Sequence, residues 1–185
     1  MLIDKYVPSF QFRERHMLEV NAQASDVLQT AINYQPDNDP IIRAAIAIRE
    51  FPDKLIDRIK GNSLSTKHPF SLRNFTLLDR LEDREVVFGL AGCFWQADYG
   101  QVPLQDSEDF VRFNAHGAAR LALNFSVECL GNNRTRLATE TRVYCLDVDA
   151  KRKFTPYWYL IRPVSGLIRR KMLATIGHTA TVSGR

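Results

Sequence analysis

The widest apolar pattern in the chain lies near its C-terminus and predicts one long helix. Over residues 154–176, apolar side chains recur at steps of three and four and form two adjacent rows. So wide an apolar surface predicts a helix that the rest of the fold largely encloses. Thr155 and Pro156 are typical of a helix start, so we expect the regular helix to begin there, after a looser turn from Asp149. Pro163 lies inside the pattern and predicts a kink.

Alternation of apolar and polar residues predicts a set of antiparallel strands before that helix. In the clearest one, residues 119–129, Arg120 and Asn124 oppose a row of apolar side chains, so one face is expected to be core and the other solvated. Gly131-Asn-Asn133 predicts the turn into its antiparallel partner. The predicted strands are residues 13–20, 75–81, 84–95, 119–129 and 134–146, with a short edge strand at 98–104.

Helical signals fall mainly between the first two of these strands. Ser25 is a candidate N-cap for a helix that ends near residue 34, and Asp39-Pro40 starts a second helix in the same way. A third, shorter helix follows and is stopped by Gly61. Further along, residues 106–113 predict a capped helical turn.

The order of these elements predicts an α+β fold: one strand, two or three helices, a run of antiparallel strands, and the long helix. The long terminal helix is expected to fill the concave face of a curved antiparallel sheet, which is the helix-grip arrangement. At 185 residues the chain is long enough for one domain with a real core. We therefore expect a single domain over residues 1–185, with an ordered core at about 12–177 and a loose tail at 178–185.

The composition is typical of a soluble globular protein. Apolar residues make up 45% of the chain and charged residues 25%, and no run of about 20 apolar residues occurs that could span a membrane. The first residues lack the layout of a signal peptide, so a cytoplasmic location is expected. The three cysteines show no C-x-x-C spacing and are expected to be small buried residues, so we predict no metal and no cofactor.

Charge is distributed unevenly along the chain. Eight of the 25 basic residues and none of the 21 acidic residues follow position 150. The basic run Arg169, Arg170 and Lys171 has two interpretations: it favours the macrodipole at a helix end, or it forms an exposed end that binds an acidic partner. No basic stripe interleaved with aromatic residues accompanies it, so nucleic acid is not expected as the main ligand.

Two features of the strands have both a structural and a functional interpretation. Thr135, Thr139 and Thr141 share the core face of the last strand, where they supply hydroxyl groups to a cavity or simply suit a strand. His16 shares a face with apolar residues of the first strand. No second metal-ligating residue lies at ligand spacing, which favours a histidine at the edge of the core.

Several segments resemble an uncharacterised bacterial branch of the START/pollen-allergen (SRPBCC) superfamily. The junction of the first strand and first helix, Glu19 to Leu28, is similar to that of the superfamily. The segments that resemble the branch are Phe88-Gly-Leu-Ala-Gly-Cys-Phe-Trp95, Asn124-Phe-Ser-Val127, Thr139-Glu-Thr-Arg-Val143 and Tyr157 to Arg170. The resemblance covers residues 12–177 and implies a cavity between sheet and long helix that takes hydrophobic ligands. It implies no particular activity.

The leading hypothesis is therefore a protein that binds a small hydrophobic or amphipathic molecule, such as a lipid, between the sheet and the terminal helix. The predicted ligand-binding residues are Phe88, Leu90, Trp95, Phe125, Thr139, Thr141, Trp158, Ile161 and Ser165. Two alternatives stay open. One is an enzyme of cyclase or dehydratase type that uses the same cavity, with His16, Glu140, Tyr144 and Arg162 as available groups, although alternation places Glu140 and Tyr144 on the outer face. The other is an interaction module that uses the basic end of the helix.

Overall fold

The computed structural model describes residues 1–34, 75–93, 95–96 and 100–183, and these residues form an α+β fold. The elements in chain order are α1 (Ile3–Tyr6), β1 (Phe12–Val20), α2 (Ala24–Ile32), β2 (Thr76–Leu81), β3 (Glu85–Gly92), β4 (Gln101–Val102), α3 (Ser107–Arg112), β5 (Ala119–Gly131), β6 (Arg134–Cys145) and α4 (Val148–Ser183). The predicted second and third helices after the first strand lie outside the described residues. Among the described helices, none is both long enough and apolar enough to cross a membrane.

The described strands form one antiparallel sheet of six strands. Its order is β1-β6-β5-β3-β2, and β4 pairs with β3. The first strand therefore pairs with the last one, and β1 forms an edge among the described strands. The turn between β5 and β6 has positive φ at Gly131, Asn132 and Asn133 (83°, 51° and 56°). Glycine and asparagine tolerate this left-handed backbone best, which explains why the hairpin could be predicted at this place.

The long helix α4 begins earlier and ends later than the sequence indicates. Asp147 caps it, because its Oδ1 accepts a hydrogen bond of 2.7 Å from the backbone N–H of Ala150. Hydrogen bonds from the backbone N–H groups of Ala150 and Gly117 lower the pKa of Asp147. The predicted start at Thr155-Pro156 is therefore wrong, and the helix runs through both prolines for 36 residues. Residues 178–183 continue this helix, so they are not the loose tail that was expected.

Two apolar clusters lie between α4 and the sheet. The N-terminal cluster packs under the first half of the helix, where Phe154 meets Phe12 at a ring-centroid distance of 4.9 Å and Trp95 at 5.5 Å. The C-terminal cluster packs under the second half of the helix and includes Phe125 and Ile176, together with apolar residues of α2. These clusters fix the helix on the sheet at both of its ends.

The opposite face of the sheet is also covered, although alternation predicted a solvated face. Tyr6 of α1 and Phe110 of α3 pack there on Val87 and Ala122 as a third apolar cluster. Asn124 on this face is completely buried. The reason is that α1 and α3, two short helices, lie over the middle of the sheet and exclude water from it.

Buried charges on this covered face accept or donate hydrogen bonds within the fold. Glu85 accepts hydrogen bonds from Asn124 Nδ2 at 2.6 Å and from the backbone N–H of Ile3 at 3.1 Å, which fixes α1 to the sheet. Glu140 accepts from Arg142 Nε at 2.7 Å. The polar positions that suggested a wet face therefore form an internal network.

Candidate functional site

A polar band crosses the helix-facing side of the sheet between the two apolar clusters. Glu14 and His16 of β1 both belong to it, since residues two apart on a strand share a face. In the sheet register Glu14 is opposite Thr141 and His16 is opposite Thr139 on β6. The band thus contains two titratable groups and two hydroxyl groups at the centre of the fold.

Glu14 is the centre of this band. It is 7% exposed, and its Oε1 lies 2.8 Å from His16 Nε2. Its Oε2 accepts a hydrogen bond of 3.0 Å from Ser165 Oγ and lies 3.8 Å from Arg169 Nε. Ser165 and Arg169 are one helical turn apart on α4, so both can face the same carboxylate. The arrangement satisfies both oxygens of a buried acid and holds the imidazole in one orientation.

Arg169 belongs to the interior and not to an exposed basic end. Its side chain is 14% exposed, and its Nη1 donates to Thr139 Oγ1 at 3.4 Å. Burial lowers the pKa of Arg169, and the charge of Glu14 opposes that shift. Twelve helical residues follow Lys171, and the last turn of α4 carries no basic residue. Both earlier interpretations of the basic run Arg169–Lys171, as a helix cap and as an exposed end, are therefore wrong for Arg169.

Gly166 explains how the helix comes so close to the band. A Cβ atom at this position would lie 3.3 Å from Glu14 Oε1 and 3.7 Å from His16 Cε1. Such a contact is tight, so the absence of a side chain lets α4 approach the carboxylate closely. A glycine in the middle of a helix costs about 1 kcal/mol relative to alanine, and the close approach of α4 to Glu14 offsets that cost.

Thr141 differs from the other two threonines on its face. The hydroxyls of Thr135 and Thr139 donate to the backbone carbonyls of Ala22 at 2.7 Å and Asn124 at 2.9 Å. Thr141 Oγ1 is buried and forms no hydrogen bond with any described residue. Two of the three threonines therefore have structural partners, and the third leaves an unused polar atom beside Glu14.

A groove of about 930 Å³ opens along the edge of β1, next to the polar band. Its apolar wall is formed by α4, where Tyr159 and Leu167 are 66% and 61% exposed. The residues that line it are Arg13, Glu14, Arg15, His16, Tyr159, Arg162, Pro163, Gly166, Leu167 and Arg170. The groove thus combines a polar floor and an apolar wall, and four of the residues that line it are arginines.

The nine residues predicted to bind ligand are distributed over the two apolar clusters, the polar band and the outer part of α4. Phe125 and Phe88 belong to the C-terminal cluster. Leu90, Trp95 and Trp158 belong to the N-terminal cluster. Thr139, Thr141 and Ser165 contribute to the polar band, and Ile161 is half-buried on α4. None of the nine lines the groove.

The sequence contained a signal for the residues that were missed. His16 shares a face with Leu18 and Val20 by alternation, and the same alternation extended backwards places Glu14 beside it. On α4, Arg162 and Arg170 lie four residues before and after Gly166, a spacing that puts all three near one side of a helix. The register with β6 puts Glu140 on the opposite face from His16, as alternation indicated.

Comparisons with known proteins add little to this picture. No protein-family model matches the chain, and no curated protein matches it either. One similar solved structure is the crystal structure of the hypothetical protein jhp0584 from Helicobacter pylori. It is 11% identical, the alignment covers 98% of this chain and 90% of that chain, and the TM-score is 0.33.

Proposed function

We propose that the protein binds a small amphipathic molecule in the groove between β1 and α4. The observation that carries this proposal is the groove itself, whose volume of about 930 Å³ lies within the usual range for small-molecule sites. Exposed apolar side chains of α4 offer contact to the hydrophobic part of such a molecule. Polar groups of β1 offer hydrogen bonds to its polar part.

The position of this site differs from the cavity implied by the SRPBCC resemblance. We infer a helix-grip fold of that kind, supported by the antiparallel sheet, by the pairing of β1 with β6, and by the long helix that packs on both strands. Apolar side chains occupy the space between helix and sheet in both clusters. The groove that the described residues form lies instead at the edge strand, beside the polar band.

Blocking the groove tests the proposal. Thermal shift and calorimetric titration with fatty acids, aromatic acids and their neutral analogues would identify a ligand. Leu167→Trp enlarges a side chain of the groove wall and is expected to abolish or strongly weaken binding. Leu160→Trp is the matched control, because Leu160 is 62% exposed on the same helix, against 61% for Leu167, and does not line the groove. Equal affinity in both variants would place the ligand elsewhere.

A second candidate function is catalysis of proton transfer, and the Glu14–His16 pair favours it. The carboxylate holds His16 Nε2 at 2.8 Å, while Nδ1 forms no hydrogen bond within the described part of the chain. A carboxylate that orients an imidazole is a common arrangement for a general base. In such a step the imidazole takes a proton from a carbon next to a carbonyl group of the substrate, and a solvent proton later replaces it.

Deuterium incorporation distinguishes an enzyme from a simple binder. Keto acids that bind to the protein would be incubated with it in D2O, and NMR would follow exchange at the carbon next to the ketone. For an enzyme, exchange should be lost in His16→Gln and retained in His178→Gln, an exposed histidine of α4 outside the groove. Exchange no faster than in buffer, for keto acids that do bind, would leave binding as the function.

A further inference from the structure

The two arginines that β1 contributes to the groove differ in how fully their charges are compensated. Arg13 donates two hydrogen bonds of 2.9 Å to the carboxylate of Glu140. Arg15 Nε lies 3.8 Å from the same carboxylate, which already accepts a hydrogen bond from Arg142. Both guanidinium groups therefore point to Glu140 on the covered face, although Arg15, which is 38% exposed, is the more distant partner.

The two arginines that α4 contributes form no ion pair with any described residue. Arg162 and Arg170 are both exposed and lie eight residues apart, which is about 12 Å along a helix. Among the described residues that line the groove, Glu14 is the one carboxylate. Its oxygens already face His16, Ser165 and Arg169. Positive charge therefore exceeds negative charge in the groove.

We propose that the ligand of this groove carries a carboxylate or phosphate group, which Arg162 and Arg170 bind. A guanidinium group matches the geometry of either anion, and a concave site concentrates the field of several like charges. The apolar part of the ligand then lies against Tyr159 and Leu167. This inference rests on the proposed function and narrows it to anionic amphiphiles.

Three probes of equal chain length separate the charge of the head group from the apolar part. Nonanoate, monooctyl phosphate and 1-octanol, which all carry an octyl chain, would be titrated calorimetrically at low ionic strength, where charge effects are largest. Both anions, or one of them, should bind at least about tenfold more tightly than the alcohol. The anion that binds better identifies the head group, and a parallel titration with inorganic phosphate shows whether the anion alone is sufficient.

Substitutions on α4 test which arginines are responsible. Arg162→Gln and Arg170→Gln should each weaken binding of the anion by about tenfold, the usual loss for one charge-assisted hydrogen bond, and leave 1-octanol unaffected. Arg162→Lys keeps the charge but loses the two-pronged geometry, so an intermediate loss is expected. Arg152→Gln is the matched control, since Arg152 is exposed on the same helix and does not line the groove.

The outcomes separate this inference from the proposed function. If 1-octanol binds as tightly as the anions, and the glutamine variants behave like wild type, the anionic head group is refuted while the groove remains a binding site. If Arg152→Gln weakens the anion as much as Arg162→Gln does, overall charge and not a site explains the preference, and the inference is again refuted. If none of the three probes binds up to about 1 mM, the proposed function fails as well.

Discussion

Glu140 is the carboxylate whose removal should cost this fold most. Its oxygens accept hydrogen bonds from Arg13 Nε and Nη2, both at 2.9 Å, and from Arg142 Nε at 2.7 Å. Arg142 is itself buried, so removing the carboxylate leaves a buried guanidinium without its main counter-charge. Breaking a buried ion pair from one side costs about 3–5 kcal/mol. Gln keeps an acceptor oxygen and Asp4 still contacts Arg142, so we expect the low end of this range. Glu140→Gln should therefore lower the free energy of unfolding by about 3 kcal/mol.

Urea denaturation of wild type and variant measures this loss as a change in the free energy of unfolding. Glu19→Gln provides the matched control, because Glu19 also pairs with two arginines, Arg134 at 2.6 Å and Arg136 at 3.5 Å, but at the surface. Exposed ion pairs of this kind contribute little to the free energy of unfolding. If Glu140→Gln costs no more than Glu19→Gln, the network on the covered face is not a source of stability and the reasoning is refuted.

The same carboxylate predicts how stability responds to acid. Burial raises the pKa of Glu140, but hydrogen bonds and charges from Arg13 and Arg142 lower it more, so that it lies below its ordinary value of 4.5. A carboxyl group whose pKa is lower in the folded than in the unfolded chain stabilises the fold at any pH above its unfolded pKa. This contribution is lost as the pH falls through the pKa of the folded chain. Wild type should therefore lose stability on acidification below about pH 4.5, and Glu140→Gln should lose less over the same range.

Three further predictions concern single positions. Thr141→Val should raise the free energy of unfolding by about 1 kcal/mol, because it removes a buried hydroxyl without a partner in the described structure. Thr139→Val should lower the free energy of unfolding by a similar amount, because it removes a hydroxyl that donates a hydrogen bond. Urea denaturation of both variants measures the two changes. Alkylation of the native protein should modify the exposed Cys129 long before the buried Cys145, since burial raises the pKa of Cys145 to about 11. Peptide mass spectrometry distinguishes the two sites, and equal rates of alkylation would contradict the burial of Cys145. Pro163→Ala restores a backbone N–H inside α4 and should straighten the helix and change ligand affinity in the groove, which a crystal structure and a titration of the variant would check.

The strands could be predicted within a few residues because each one carries its own alternation. Leu121, Phe125 and Val143 face α4 as the pattern indicated. The start of α4 could not be predicted in this way. Thr155-Pro156 is a valid local start signal, but Asp147 provides a cap further upstream and burial of Ala150 favours the earlier start.

The covered face and the groove could not be predicted because their partners are far apart in sequence. Arg13 and Glu140 are separated by 127 positions, so each appears in the sequence as an ordinary solvated charge. The four residues of α1 are too few to show a helical period, and nothing local indicates that they cover the sheet. The expectation that all cysteines are buried was wrong for the same reason, since Cys129 lies on a stretch of β5 that no described element covers well enough to bury it.

The pairing of the first strand with the last has a consequence for the order in which the chain folds. During synthesis β1 emerges first, but β6, its partner among the described strands, emerges more than a hundred residues later. Contacts between such distant segments form slowly, because a long loop must close before they stabilise anything. Since the groove needs β1 on one side and α4 on the other, it forms only after the helix has been synthesised and has docked. A nascent chain that stops before α4 would therefore have all the described strands but only the β1 side of the groove.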